Sequence, residues 1–575
     1  MANLVGMQQR LAPAIERNIE FKGLNRKTYV EEGEMSDMMN LTADKYPSLT
    51  PRRLRGELAL PADVLRPLQI VTKFGCIAMI AMKEDLSIGF FYDNVEVPEV
   101  TGITAGTTMV AINTKICFFP EKTYIEVVKN RGRGEIQTGS YGNLEAEESL
   151  VGATVTISNE DVKVTVPSGH GFGYDDAINM AGMLAYTPAG GAPTTMDCNI
   201  SCIIEEVNGN VLTLPRETFI ELTGEGAENI TYTGPISRTA PNLDHIIEWN
   251  NRLWGASNSD NCIYACKLGD PKNWQYFQGT GLDSYYAQQG SDENWTGVGV
   301  YSNHICFFKP SSMCRVYGTA PSNYQIANVE CYGVEEGSRR SVVTVNDRIF
   351  YKSKVGIMAY DGGVPYSISD KFARTFRNVI GGTEGSKYYA SIQVEGGGYE
   401  LMVLDIDKAM WHKEDDARFR GVCTMENTLY FIEYSGEELI CSDDLIVNRY
   451  LFIGSEDISG VIKVVNPENA TETYDDLDWM ATFGPFDEYV ENKRIYSRIS
   501  LRLNVISETT LRVYISMDQG PWELVKEYAP AETGGHIIPI IPRRCDRYSI
   551  KIEGHGNTEI KSLTRRYRQG SYGRL

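Results

Sequence analysis

Ile246-Ile247-Glu248-Trp249-Asn250-Asn251-Arg252-Leu253-Trp254 opens a pattern that returns twice. The second copy is Gly299-Val300-Tyr301-Ser302-Asn303-His304-Ile305-Cys306-Phe307-Phe308, and the third is Val342-Val343-Thr344-Val345-Asn346-Asp347-Arg348-Ile349-Phe350-Tyr351. Each copy reads as strand, tight turn, strand. Asn tolerates the positive φ of a hairpin turn, and β-branched and aromatic residues suit a pleated, half-buried surface. The turn residues Asn250, Asn303 and Asn346 lie 53 and 43 residues apart. A hairpin recurring at that period is the sequence sign of a β-propeller blade array.

Working outward, Leu68–Lys73 and Cys76–Met82 form a similar hairpin about Phe74-Gly75, and Met109–Phe119 forms another about Asn113. The rhythm then lapses until Asn250, as it would if about 95 residues were inserted in a propeller loop. The insertion, roughly Lys129–Thr239, carries alternating runs at Ala153–Ser158 and Val162–Val166 and a possible short helix at Asp175–Leu184. It also carries a hairpin with Asn208-Gly209 between Cys202–Val207 and Asn210–Leu214. Beyond the opening stretch, hairpins recur at Lys387–Leu404, about Gly396-Gly397-Gly398, and at Val422–Ile432, about Asn427. From Leu445 onward, alternating runs at Ile495–Val505, Thr510–Met517, Trp522–Tyr528, Ile537–Ile541, Tyr548–Glu553 and Glu559–Tyr567 suggest a sandwich of about eight strands.

The expected fold is all-β: a six- or seven-bladed β-propeller with an inserted small β-barrel and a C-terminal β-sandwich. Its divisions are an extended arm at 1–66, first blades at 67–130, the inserted barrel or sandwich at 131–240, remaining blades at 241–445 and the C-terminal sandwich at 446–575. The arm is read from Pro47, Pro51 and the scarcity of long apolar runs.

The net charge of −21 argues against an electrostatic coat on nucleic acid, since the chain has no excess cations with which to displace condensed counterions. The segment from Arg543 onward is locally basic, with nine Lys and Arg against three Asp and Glu. The 12 cysteines are scattered and mostly sit in apolar strands (Cys76, Cys117, Cys306, Cys423), which suits reduced, buried thiols made in a cytosol. No leader pattern opens the chain. The longest membrane-like run, Cys76–Met82, is far short of the roughly 20 residues of a spanning helix.

Chemistry-bearing patterns are sparse. The six histidines (His170, His245, His304, His412, His536, His555) have no partners at metal-ligand spacing. The Cys198/Cys202 and Cys262/Cys266 pairs lack the tighter knuckles and four ligands of a zinc site. Ser168, His170, Asp175 and Asp176 supply the residue types of a triad within one Gly-rich loop, but sequence adjacency does not place them in relay. The carboxylate clusters Glu414-Asp415-Asp416 and Asp475-Asp476-Asp478 read as solvated turns. Ser516-Met517-Asp518-Gln519-Gly520-Pro521-Trp522 resembles the Asp-box hairpin of sialidases, one residue short, and that box is a structural turn. No catalytic, cofactor-binding or metal-binding residues are therefore assigned, no cofactor is expected, and the chain is expected not to be an enzyme.

Several runs resemble a family. Ile236-Ser237-Arg238-Thr239-Ala240-Pro241-Asn242-Leu243-Asp244, Asn251-Arg252-Leu253-Trp254-Gly255, Ile263-Tyr264-Ala265 and Leu268-Gly269-Asp270-Pro271-Lys272-Asn273-Trp274 resemble the β-propeller tail hub, nozzle or stabilisation proteins of short-tailed bacteriophages. Phe307-Phe308-Lys309, Val316-Tyr317-Gly318, Pro321-Ser322-Asn323-Tyr324, Tyr46–Arg52, Pro542–Asp546 and Ile552-Glu553-Gly554 extend the likeness over nearly the whole chain. The resemblance implies a virion structural protein, assembled in the host cytoplasm, that forms a ring with copies of itself, typically six. That ring meets the portal or adaptor and tail fibre or spike proteins, while genomic dsDNA passes through the lumen without specific binding. Two other readings compete. One is a propeller adhesin that holds host-surface glycans on aromatics such as Trp249, Tyr285 and Tyr286. The other is a glycosidase, which needs two facing carboxylates about 5–10 Å apart.

Overall fold

The structure is a computed structural model describing residues 14–129, 136–224, 226–434, 460–465, 477–486, 494–506, 509–531, 534–540, 545 and 547–569. Among them the chain is all-β and propeller-like, with one α-helix, Glu217–Thr223. The three signature hairpins pair as Trp249↔Arg252, Tyr301↔His304 and Val345↔Arg348. Asn250-Asn251 (φ 50° and 59°) and Asn346-Asp347 (46° and 56°) take the left-handed conformation that these two-residue turns require. The Ser302-Asn303 turn does not, and there the Asn303 side chain bonds His304 Nδ1 instead (2.7 Å).

Each hairpin belongs to a four-stranded antiparallel meander. Among the described residues there are seven such sheets, beginning at Val64–Lys73, Thr108–Ile112, His245–Trp249, Gly297–Tyr301, Val343–Val345, Phe376–Glu384 and Val422–Met425. These opening strands lie side by side in chain order, and the seventh lies beside the first, so the ring closes. Threonine hydroxyls fasten neighbouring sheets. Thr72 donates to Thr424 O (3.2 Å), Thr424 to Thr383 O (3.0 Å) and Thr344 to Val300 O (2.6 Å). Aromatics fill the space between sheets: Trp254, Phe307, Phe308 and Phe350 are at most 1% exposed. Burial of one such ring contributes about 2–3 kcal/mol.

The seventh sheet takes its outer strand, Gly56–Leu58, from the stretch read as an extended arm. More of that stretch joins the C-terminal strands. Ala14–Asn18 pairs with Thr558–Gln569, and Glu34–Met39 pairs with Asp478–Phe486. A six-stranded and a four-stranded sheet result, and Met38, Phe483, Val513, Ile499, Leu501 and Ile538 share one core between them.

The outer strand of the second sheet, Ile136–Asn143, lies inside the span assigned to the insertion. The inserted strands from Ala146–Ile157 to Glu228–Arg238 form a single seven-stranded sheet around its own core. The short helix expected at Asp175–Leu184 is instead the strand Ala177–Thr187. Ile178, Met180 and Leu184 are buried and Ala181 is exposed, so pairing on both sides overrides a Met- and Ala-rich composition. The Asn-Gly turn is displaced by one residue: Asn208 pairs with Val211, and Gly209 (φ 60°) and Asn210 make the turn.

Candidate functional site

The charged residues of the Gly-rich loop do not assemble as a triad. Both His170 nitrogens engage backbone, Nε2 at Gly209 O (2.9 Å) and Nδ1 at Phe172 N (3.3 Å). Asp176 is fully buried at the start of strand Ala177–Thr187. It accepts from Gly173 N (2.6 Å), the Arg238 guanidinium, Asn273 Nδ2 (3.2 Å) and Lys272 Nζ (3.3 Å). Asp175 takes Lys267 and the Tyr276 hydroxyl (3.1 Å), and Lys267 also lies 3.8 Å from the Tyr276 ring centre. Asn273 Oδ1 accepts Ala177 N (2.8 Å), while its Nδ2 reaches Asp270 (2.6 Å). The run Leu268–Trp274 is thus a clamp between the inserted sheet and the third ring sheet. A buried carboxylate is tolerated here because every lone pair meets a donor.

The Glu414-Asp415-Asp416 cluster departs from the expectation of solvated turns. Only Asp416 is exposed. Asp415 pairs with Arg52 (3.0 Å) and Arg55 (2.7 Å), and Glu414 pairs with Arg55 (2.9 Å). Burial raises the Asp415 pKa, but the two guanidiniums outweigh it and hold the carboxyl below its usual range. These ion pairs fasten the N-terminal segment, within which Arg52 also donates to Asn40 Oδ1 (2.8 Å), to the stretch that follows Met410–Lys413, the outer strand of the sixth sheet. Of the second cluster, Asp475 and Asp476 lie outside the described residues, and Asp478 is exposed and paired with His555 (2.8 Å).

Burial drives the pKa of His245, His304 and His412 down to about 4. His245 meets Trp295 O (2.8 Å) and His304 meets the Tyr360 hydroxyl (2.7 Å). Burial pushes the thiols the other way, Cys198 to about 11 and Cys202, Cys266 and Cys314 to about 12. These thiols stay protonated at neutral pH, which suits packing rather than nucleophilic or metal-binding roles. Among the described residues no group of three His, Cys, Asp or Glu is placed to hold a metal ion.

Of the aromatics named for glycan contact, only Tyr286 faces solvent, at 61% exposure; Trp249 is 7% exposed. Tyr285 packs on Trp254 and Tyr324, with ring centres 6.0 and 5.0 Å away. Tyr286 stands in the outer strand of the third sheet, stacked on Tyr264 (6.5 Å, 27°) and edge-on to Phe277 (6.1 Å, 67°). Phe277 (49% exposed) completes an aromatic edge that sequence reading missed, and Leu282 (44%) is exposed three residues before Tyr285. Their signal was weak because they fall in the irregular segment between two strands. A separate cleft of about 370 Å³ lies on the outer face of the six-stranded sheet.

No family model and no curated relative matches this chain. Solved structures that it resembles include the phage phi92 endosialidase (8% identity, 77% of this chain and 75% of that one, TM-score 0.27). Others are an exo-β-1,3-galactanase of Phanerochaete chrysosporium (10%, 56% and 95%, TM-score 0.21) and PorZ, a surface component of the type-IX secretion system of Porphyromonas gingivalis (12%, 89% and 78%, TM-score 0.26). The expectation that the chain is not an enzyme is corrected here, because an endosialidase and a galactanase stand among the structures it resembles. At these TM-scores the likenesses assign no activity. No helix among the described residues is long and apolar enough to cross a membrane.

Proposed function

We propose that this chain is a seven-bladed propeller of a short-tailed phage tail, a hub or nozzle component that works through the assembly it builds. The blades are the seven closed sheets, the inserted sheet is a curled barrel-like module, and the C-terminal sheets with the strands from 14–39 form a sandwich. Copies associate in a ring, six being the expected number, which docks to portal or adaptor and to fibre or spike proteins around a DNA channel. The observation that carries this reading is the clamp. The Leu268–Trp274 run, which resembles the tail family, fixes the insertion to the ring through Asp176, Asn273 and Lys272. Residues 52–58 likewise serve to lock the ring shut. A net charge of −21 suits a wall past which DNA slides without sticking. Native mass spectrometry of the purified protein and cryo-EM of particles test it. Sixfold rings in virions are expected, and a monomer absent from particles overturns the reading.

A second reading, host-surface glycan binding, is favoured by the exposed edge of Tyr286 and Phe277, since exposed rings stack on sugar faces. Tyr286→Ala and Phe277→Ala should then abolish attachment to host cells without altering the melting temperature. Unchanged attachment removes this reading.

A further inference from the structure

The cleft on the six-stranded sheet is built by cross-strand register. Antiparallel pairing aligns Met39, Met480, Glu553, Arg512 and Glu527 in one row across five strands. The next row, displaced by two residues, holds Asp478, His555 and Thr510. On the opposite side a third row carries Thr482, Lys551 and Tyr514. Alternation sends the intervening residues, Trp479, Ala481, Val513 and Ile552, into the core. Gly554 is required at the floor, because a Cβ there would lie 2.1 Å from the Trp479 ring.

The polar groups of this face pair with one another. Asp478 meets His555 (2.8 Å), Arg512 meets Glu527 (2.8 Å) and Glu553 meets Lys551 (2.5 Å). Lys551 also sits 4.7 Å from the Tyr514 ring centre and 5.4 Å from that of Trp522, which is 40% exposed. The face therefore offers many donors and acceptors at little net charge, beside a methionine floor and two aromatic rings. A phosphate-rich ligand would find no excess of cations, and an apolar one would strip water from these charged pairs without replacing its hydrogen bonds. Five strands at about 4.8 Å spacing give a row roughly 19 Å long, the length of about four pyranose units.

We propose that this face is a binding site for a neutral oligosaccharide. Hydroxyls bond Asp478, Glu553 and Arg512, while C–H faces lie on Met480 and Trp522. The site is separate from the Tyr286 edge, and it stands whether or not the chain is a tail component.

The test is isothermal titration of the full chain with neutral hexasaccharides (maltohexaose, cellohexaose, chitohexaose) and with oligosialic acid as an anionic probe. At least one neutral probe should bind with Kd of about 10 μM to 1 mM, and Arg512→Ala or Glu553→Gln should each weaken it about tenfold or more. Tyr286→Ala should leave this binding unchanged, which separates the site from the edge patch. Unaltered melting curves of the variants at exposed Arg512 and half-buried Glu553 exclude misfolding. The proposal is overturned if no neutral probe binds, if only oligosialic acid binds, or if the two cleft variants bind as well as the native chain.

Discussion

Asp176→Asn isolates the clamp between insertion and ring. The substitution keeps the shape of the side chain, removes its charge and turns one acceptor into a donor. That donor faces Arg238, Lys272, Asn273 and Gly173 N, all of which donate to Asp176. Arg238 is 2% exposed and would keep only carbonyl partners, Leu144 O (3.1 Å) and Gly171 O (2.9 Å) foremost. Breaking a buried pair from one side costs about 3–5 kcal/mol, and the surviving carbonyl bonds place this case near 3. Removing both charges with Arg238→Met should cost less than the sum of the single changes, with a coupling of about 1.5 kcal/mol or more. A chain with several cores does not unfold in one step, so local opening is the proper readout. Hydrogen exchange in Ala177–Thr187 and Glu228–Arg238 should quicken by about two decades, while Lys387–Val394 in the sixth sheet stays unchanged. A change under about threefold, or strict additivity of the two substitutions, would refute the claim that this carboxylate holds the insertion.

Acid should loosen the protein in a defined window. His245, His304 and His412 titrate near 4 when folded against 6.5 when free, so only the unfolded chain takes up these protons between those values. Stability is therefore complete above pH 6.5 and declines as pH falls towards 4, by up to about 3 kcal/mol per group; thermal melts from pH 8 to 4 read it, and a flat profile contradicts it. Gly333→Ala should cost several kcal/mol, since its Cβ would stand 1.9 Å from Lys309 O, whereas Gly75→Ala, with φ of 76° and open space, should cost only about 1–2 kcal/mol. Comparison of their melting temperatures checks the ordering. Deleting residues 1–59 removes the closing strand and leaves Glu414 and Asp415 without Arg52 and Arg55, so limited proteolysis should cut within the seventh sheet. A resistant truncated ring would show that closure lies elsewhere.

The hairpins were legible because their signal is local. Asn-containing turns at Asn250 and Asn346, flanked by apolar runs, require nothing beyond a few residues to declare strand, turn, strand. The all-β class, the recurring sheet unit, the lapse at the insertion and the burial of Trp254, Phe307 and Phe350 were open to reading for the same reason. Three matters lay beyond that reach. The stretch 14–58 finds partners more than 400 residues away, and nothing in Glu34–Met39 or Gly56–Leu58 names Asp478–Phe486 or Gly460–Val464 as the other half of its sheet. The strand Ala177–Thr187 looks helical by composition and becomes a strand only because it is paired on both sides. Glu414 and Asp415 read as solvated turns and Asp176 as one residue type of a triad, yet Glu414 and Asp176 are buried and Asp415 is half-buried because guanidiniums from distant segments reach them. Sequence by itself therefore determined the ring hairpins about Asn250, Asn303 and Asn346 and the inward aromatics beside them, since both follow from local sterics and a period of two. Tertiary structure alone decided which edges meet, where charge can be buried and which polar rows line a cleft, since each depends on long-range register that no local pattern encodes.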